Sequence, residues 1–329
     1  MRTTLAPRVM VAVALAFVAT AAQAEPSPAD PLAALLARTG AVAKEVAKVR
    51  GLRLRHPIPN EVVDRAELRE RLLAEASEDH TAAETAAHGI ALQRWGLVPL
   101  DYDYPARMLD LLVDQIAGYY DSKTKKLTIL DSAGADPAWA EMVLAHELDH
   151  GLQDQAFDLG KFEKLPDDDT DALAARHAVV EGDGVALMIE VMLAREGITM
   201  PWAVPEAAAA VVEAMSAPDA TTRDSLDASP LAIREEMLFP YRDGFAFVTA
   251  IRRTRPWSAI DAVFRRPPRS TEQILHLDKY LADDKPIAVK AAGAAFAGYA
   301  VLASEVWGEL GMRTFLLTHG VSTMVADTA

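Results

Sequence analysis

The sequence predicts a mostly helical α+β protein with a small antiparallel sheet. Two patterns support this fold class: apolar residues recur at helical spacing over long stretches of the 329-residue chain, and one pair of short segments resembles a β-hairpin. Hydrophobic residues make up 51% of the chain and charged residues 25%, which suits a globular protein with a sizeable core. This composition excludes disordered, collagen-like and disulfide-framework classes.

Residues 1–24 have the pattern of a secretory signal peptide. Arg2 and Arg8 precede an apolar run over residues 9–18, and small residues follow up to Ala24. The run is shorter than the roughly 20 residues that a spanning helix needs, so cleavage after Ala24 is favoured over a membrane anchor. The sequence therefore predicts a secreted or periplasmic bacterial protein, with no membrane span in the mature chain.

Residues 25–98 are expected to form a helical N-terminal segment. Apolar residues recur at helical spacing over 31–49, and a Pro-interrupted extended stretch follows over 53–63. A further helix is predicted from Asp64, because Glu67 three residues later completes the pattern of a capping box. This segment contains no pattern with catalytic chemistry.

Residues 99–200 are expected to form the core, from a hairpin and two long helices. Segments 117–121 and 126–130 flank a short polar turn, which is typical of a hairpin. Helical periodicity then predicts helices over about 138–155 and 171–195, joined by an acidic connector.

Residues 201–329 are expected to form a helical C-terminal segment that packs on this core. The segment is rich in Ala, and Pro and Ser residues interrupt its helical patterns. Internal repeats and long linkers are absent from the sequence. The prediction is therefore one core with helical segments on either side.

The most specific feature is the segment 146–150, which reads His-Glu-Leu-Asp-His and matches H-E-x-x-H. On a helix, residues four positions apart share a face, so His146 and His150 can reach a single ion. The apolar residues at 142–145 indicate a buried helix, where two unpaired imidazoles would be costly. Because the chain has no Cys, any further ligand must be a His or a carboxylate. The pattern predicts one zinc ion, Zn2+.

A catalytic zinc ion needs a third protein ligand and an open fourth position. The metzincin position six residues after His150 holds Ala156, which excludes that arrangement. Glu181 is the favoured third ligand, because two neighbouring glycines would let its helix approach the zinc helix closely. His177, one turn earlier, is the alternative ligand and otherwise an interior neighbour of the site. Asp183 is expected to orient a ligand imidazole.

The sequence also makes predictions for several other polar residues in the same helices and in the C-terminal segment. Asp149 and Asp154 on the zinc helix are expected to face water. Tyr241 and His276 are the candidate donors for the oxyanion of a hydrolytic transition state, and Arg242 is a weaker candidate. An interior Tyr or His that only packs and hydrogen-bonds is the alternative for each.

The segment 146–150 and the later helix carrying Glu181 together resemble the gluzincin metallopeptidases, whose zinc is held by two His and a Glu. Segments 118–127, 150–155 and 271–276 are similar to a family of secreted, poorly characterised bacterial gluzincin-like proteins. The sequence departs from thermolysin-type members at one position, because they carry an acid four residues after the glutamate ligand and this chain has Val there. The resemblance implies a gluzincin-like zinc core.

The resemblance also implies hydrolysis of a peptide or protein substrate. Zinc would lower the pKa of its bound water to about 7, and Glu147 would accept the proton and later pass it to the leaving amine. The strand at 126–130 would bind an extended substrate by strand addition, and an ordinary edge strand is the alternative.

Two other classes of function remain alongside peptide hydrolysis. The first is a non-hydrolytic periplasmic binding or chaperone-like protein that retains the fold; Glu147 argues against it, because a structural zinc site has no use for a base. The second is a zinc hydrolase of another amide, such as one in the cell wall. Nucleic acid is disfavoured as a partner, because the formal net charge is −15.

Overall fold

In the computed structural model, the chain is described over residues 31–79, 81–166, 169–216, 224–288 and 304–327. The predicted signal peptide lies outside the described residues. The expectation of a mostly helical α+β fold is confirmed. In the described parts of the chain, no helix combines the length and the apolar character needed to cross a membrane.

The described residues form sixteen α-helices and three strands: α1 Pro31–Ala37, α2 Thr39–Arg50, β1 Asn60–Val63, α3 Arg65–Asp79, α4 Ala82–Arg94, α5 Tyr104–Gln115, β2 Gly118–Asp121, β3 Lys126–Leu130, α6 Pro137–Phe157, α7 Leu159–Phe162, α8 Thr170–Arg195, α9 Pro205–Ser216, α10 Asp224–Asp227, α11 Leu231–Arg252, α12 Ser258–Arg265, α13 Thr271–Leu275, α14 Leu277–Leu281, α15 Glu309–Thr318 and α16 Thr323–Ala326. Two 3₁₀ turns lie at Asp131–Ala135 and Pro201–Ala203.

The sheet contains the predicted hairpin, but it is mixed rather than antiparallel. β2 pairs with β3 in antiparallel fashion, as predicted, while β1 pairs with β3 in parallel, with Asn60 opposite Leu127 and Val63 opposite Leu130. The end of the predicted extended stretch at 53–63 supplies this third strand. Parallel pairing is possible because α3, α4 and α5 form a long crossover between β1 and the hairpin.

The prediction that residues 126–130 bind a substrate strand is wrong. The strand order is β1-β3-β2, so β3 has a hydrogen-bonded neighbour on each side. Its backbone groups are therefore used within the sheet and are not free for a further strand. The alternative of an ordinary edge strand is wrong for the same reason.

Helix α6 begins at a well-formed cap and then runs through the core. Asp136 accepts hydrogen bonds from the backbone N–H groups of Ala138 and Trp139, at 3.0 Å and 3.1 Å. From residue 143 to residue 154 every side chain of the helix is buried. This helix is surrounded by α2, α8 and the hairpin rather than lying at the surface.

Asp149 and Asp154 are buried, so the prediction that they face water is wrong. Each has at least one oxygen with a polar partner inside the protein. Asp154 Oδ2 accepts from the hydroxyl of Tyr120 at 2.8 Å and from Lys125 Nζ at 2.7 Å. Asp149 Oδ2 accepts from Gln153 Nε2 at 2.9 Å.

Helix α8 lies between α6 and α11, and its tightest backbone contact is with α11. Gly182 and Gly244 face each other there: a Cβ atom on Gly182 would overlap the carbonyl of Gly244, and one on Gly244 would overlap the carbonyl of Ala178. Gly182 therefore serves the packing of α8 on α11. Only the second glycine of the pair, Gly184, faces α6 as predicted.

We expect Gly182→Ala to lower the free energy of unfolding by about 3 kcal/mol, because the added methyl would force two helix backbones apart. Denaturant unfolding measures the effect. Gly40→Ala is the matched control, because no atom lies within 4 Å of its added Cβ. In that helical position Ala should be neutral or stabilising by up to about 1 kcal/mol. Equal stability of the two variants would contradict the described contact.

Candidate metal centre

Helices α6 and α8 place three side chains with ligand chemistry at one point. His146 and His150 lie on the same face of α6, with their Nε2 atoms 2.9 Å apart. Glu181 of α8 reaches the same point, and its Oε2 lies 3.1 Å from His146 Nε2 and 3.4 Å from His150 Nε2. The structure thus brings together the three residues that the sequence predicts as ligands.

This triad fits a zinc ion in both donor type and spacing. Zinc accepts imidazole nitrogen and carboxylate oxygen, and ligand atoms about 2.0–2.1 Å from a tetrahedral ion lie roughly 3.3 Å from one another. The separations of 2.9, 3.1 and 3.4 Å between the three atoms are close to that value. His146, His150 and Glu181 are therefore suited to hold one ion.

The electrostatics of the triad also suit a cation. Burial alone would raise the pKa of Glu181, but the two imidazoles overcome burial and lower it to about 2. Burial disfavours a charged His150, yet the carboxylate of Glu181 outweighs it and raises the pKa of His150 to about 10. For His146, burial and repulsion by His150 prevail and lower the pKa. The ionised Glu181 thus stabilises positive charge at this point.

Glu147 lies beside the triad and is buried. Its side chain is 1% exposed, and one carboxylate oxygen, Oε2, is buried without a hydrogen-bond partner among the described residues. Burial raises the pKa of Glu147 to about 8, while His150 and a backbone hydrogen bond from Tyr120 oppose the rise. A buried oxygen without a partner is uncommon in folded proteins. Asp149 Oδ1 on the same helix is another among the described residues, so Glu147 is distinguished by its position next to the triad.

Tyr241 of α11 closes one side of the triad. Its ring lies nearly parallel to that of His146, with the ring centres 6.4 Å apart. Burial, together with the carboxylates of Glu181 and Glu147, raises the pKa of Tyr241 well above its ordinary value. Tyr241 is therefore a protonated donor next to the triad, where the sequence predicts an oxyanion donor.

A cavity of about 260 Å³ opens next to this group. Glu181 and Tyr241 form part of its wall, and His177 lies on the same side. Glu181 thus belongs both to the ligand triad and to the cavity. The space beside the triad is large enough to admit part of a substrate.

Gln153, rather than Asp183, orients the second ligand imidazole. His150 Nδ1 lies 3.0 Å from Gln153 Oε1, and Gln153 Nε2 donates to Asp149 Oδ2 at 2.9 Å and to the carbonyl of Val180 at 3.2 Å. This fixed amide holds the imidazole at Nδ1 and leaves Nε2 directed toward His146 and Glu181. The sequence contains a signal for Gln153, because it lies three residues after His150 on the same helix.

Asp183 is instead held by a completely buried arginine, Arg50 of α2. The guanidinium donates from Nε to Asp183 Oδ1 at 2.9 Å and from Nη2 to Oδ2 at 2.9 Å, and Nη1 donates to Asp261 at 2.8 Å. Its Cζ also lies 4.7 Å from the ring centre of Trp257. Nothing in the sequence indicates this contact, because 133 positions separate Arg50 from Asp183.

The remaining predicted residues lie away from the triad or have other partners. His177 Nε2 lies 3.5 Å from a carboxylate oxygen of Glu163, so it is a neighbour of the cavity rather than the third ligand. His276 Nε2 is 2.8 Å from Glu309 Oε1 and lines a different cavity, together with Arg242. Neither His276 nor Arg242 lies where an oxyanion beside Glu181 would form.

We expect Gly184→Ala to weaken zinc binding about 10–100-fold without unfolding the protein. An added Cβ would lie 2.7 Å from His146 Cε1, so the imidazole would have to leave its place beside Glu181. A zinc titration against a chelating dye measures the change, with Gly40→Ala as the control. An unchanged zinc affinity would show that Gly184 does not determine the position of His146.

We expect Arg50→Met to lower the free energy of unfolding by about 3–5 kcal/mol, because Asp183 would remain buried without its partner. Arg69→Met is the matched control: its ion pair with Asp110 is about half exposed on both sides, and its loss should cost about 0–1 kcal/mol. Denaturant unfolding of both variants gives the comparison. Equal losses would contradict the importance of the buried pair.

The comparisons with known proteins add no family to this description. No family model matches the chain, and neither a curated protein nor a solved structure does. The resemblance to gluzincins therefore rests on the sequence patterns alone, and its implications for function are proposals.

Proposed function

We propose that this protein is an exported zinc-dependent hydrolase that cleaves peptide bonds. His146, His150 and Glu181 would hold the ion. The observation that carries the proposal is Glu147, a buried carboxylate beside the triad with one oxygen that no other group of the described chain satisfies. A fold that needed Glu147 only for stability would be expected to pair it.

A zinc ion held by this triad would polarise a carbonyl and activate water at neutral pH. Glu147 would accept a proton from the attacking water and return it to the leaving amine. It is surrounded by protein on all sides, which keeps bulk water from competing for this proton. The position of Glu147 one residue after His146 on a rigid helix fixes it relative to the ligands.

Tyr241 is the residue best placed to stabilise the developing oxyanion. Its raised pKa keeps the hydroxyl protonated, so it can donate a hydrogen bond to negative charge that forms beside Glu181. The ring is held by the buried face of α11, so the donor needs little reorganisation. His276 has no part in this proposal, because it lines another cavity.

The alternative is a binding or chaperone-like protein with a structural zinc site, and one observation favours it. The ligand-type atoms of His146, Glu147 and His150 lie within 4.8 Å of one another, so Glu147 itself is close enough to act as a ligand. A site closed by four protein ligands would leave no position for water. The two functions therefore differ in what removal of the Glu147 carboxylate does to zinc binding.

Elemental analysis and peptide cleavage test the proposal on the same preparations. We expect one zinc per wild-type chain, loss of zinc in Glu181→Ala, and retention of zinc in Glu147→Gln. Cleavage of a mixed peptide library should fall about 10²–10⁴-fold in Glu147→Gln, because the proton acceptor is gone. Glu213→Gln on the exposed face of α9 is the matched control and should behave as wild type.

Loss of zinc in Glu147→Gln, with no cleavage by the wild type, would favour the structural site. Absence of zinc from the wild type after reconstitution would overturn both functions. Cleavage of peptidoglycan but not of peptides would show that the substrate of the same chemistry is a cell-wall amide.

A further inference from the structure

The cavity beside the triad continues along α11 into an apolar pocket. Its walls are formed by Tyr104, Met108, Leu112, Met237 and Trp307. A volume of about 260 Å³ is many times what a single water needs, so the cavity has room for a long side chain. The pocket therefore has the size and lining of a site for one substrate residue.

Acidic residues predominate in this cavity. Four carboxylate residues line it, namely Asp171, Glu181, Glu236 and Glu305, against two histidines, His88 and His177, and neither Lys nor Arg occurs among the described residues that do so. Burial opposes a charged His88, yet the carboxylate of Glu305 outweighs burial and raises the pKa of His88, so His88 offsets part of the acidic charge. A cleft with an excess of one sign of charge and low-dielectric walls concentrates that potential. The cavity thus favours cations over carboxylates.

Three of these four carboxylates already have partners. Asp171 accepts hydrogen bonds from the backbone N–H of Thr271 at 3.0 Å and from its hydroxyl at 2.6 Å. Glu181 belongs to the ligand triad, and Glu305 Oε1 lies 2.8 Å from His88 Nδ1. Glu236 makes no hydrogen bond within the described part of the chain, although the charge of His88 acts on it. Its side chain is accessible, yet enough protein surrounds it that desolvation raises its pKa.

Glu236 lies on the same helix as Tyr241, the residue next to the triad. It precedes Tyr241 by five residues on α11, which is about 7.5 Å along a helix axis. Tyr241 and Glu181 border one end of the cavity, so a long side chain entering there can reach Glu236. The stem of that side chain would lie against the apolar walls.

We propose that this cavity selects a substrate residue whose long side chain ends in a cation, Arg or Lys, and that Glu236 is the specificity-determining partner of that cation. The inference rests on the proposed hydrolytic function. A large apolar side chain would displace water from the Glu236 carboxylate without giving it a hydrogen-bond partner, which is costly. A guanidinium or ammonium group would satisfy it.

Two peptide pools that differ only in Arg or citrulline at one position test this selection, because citrulline keeps the shape and removes the charge. We expect the zinc-loaded wild type to cleave the Arg pool at least about tenfold faster, as for loss of one charged partner of a desolvated contact. The ratio should fall to near one in Glu236→Gln. It should be unchanged in Glu213→Gln, an exposed acid on α9.

A binding measurement separates this inference from the proposed function. N-acetyl-arginine amide should bind wild-type protein at least about tenfold more tightly than N-acetyl-citrulline amide in calorimetry, and Glu236→Gln should abolish the difference. This preference without any peptide cleavage would support the cavity and count against hydrolysis. Cleavage without an Arg preference, or a preference that survives in Glu236→Gln, would overturn the assignment of the cavity.

Discussion

The candidate metal centre depends on a guanidinium that the protein buries completely. Arg50 comes from α2 in the N-terminal segment, and it neutralises Asp183 on α8 and reaches Asp261 on α12. Without Arg50, the carboxylate of Asp183 would lie uncompensated behind the ligand helices. One side chain therefore joins three helices that are far apart in sequence, namely α2, α8 and α12, and α8 carries the candidate ligand Glu181.

Helix α8 satisfies two packing demands with neighbouring glycines. Gly182 allows the backbone of α11 to come into contact, while Gly184 leaves room for the imidazole of His146. Glu181 lies directly before this pair, so its carboxylate is held between two surfaces that cannot move independently. Rigid helices of this kind are a better support for a metal ligand than loops are.

Local periodicity accounts for what the sequence could predict. The four-residue spacing of His146 and His150 and the apolar context of Glu181 are visible in short windows, and the structure brings these side chains together. The burial of Asp149 and the pairing of Arg50 were not visible, because both depend on segments distant in sequence. For the same reason the pairing of β1 could not be predicted, because its partner strand lies beyond three intervening helices.

The parallel pairing of β1 with β3 bears on the order in which the chain folds. The hairpin of β2 and β3 closes a turn of only four residues, whereas Asn60 pairs with Leu127 across a long crossover. Local contacts form before distant ones, because a long loop loses more entropy on closure. We therefore expect the hairpin to be an early template and β1 to join it late, so that newly made chain exposes one edge of β3 until the crossover helices have assembled.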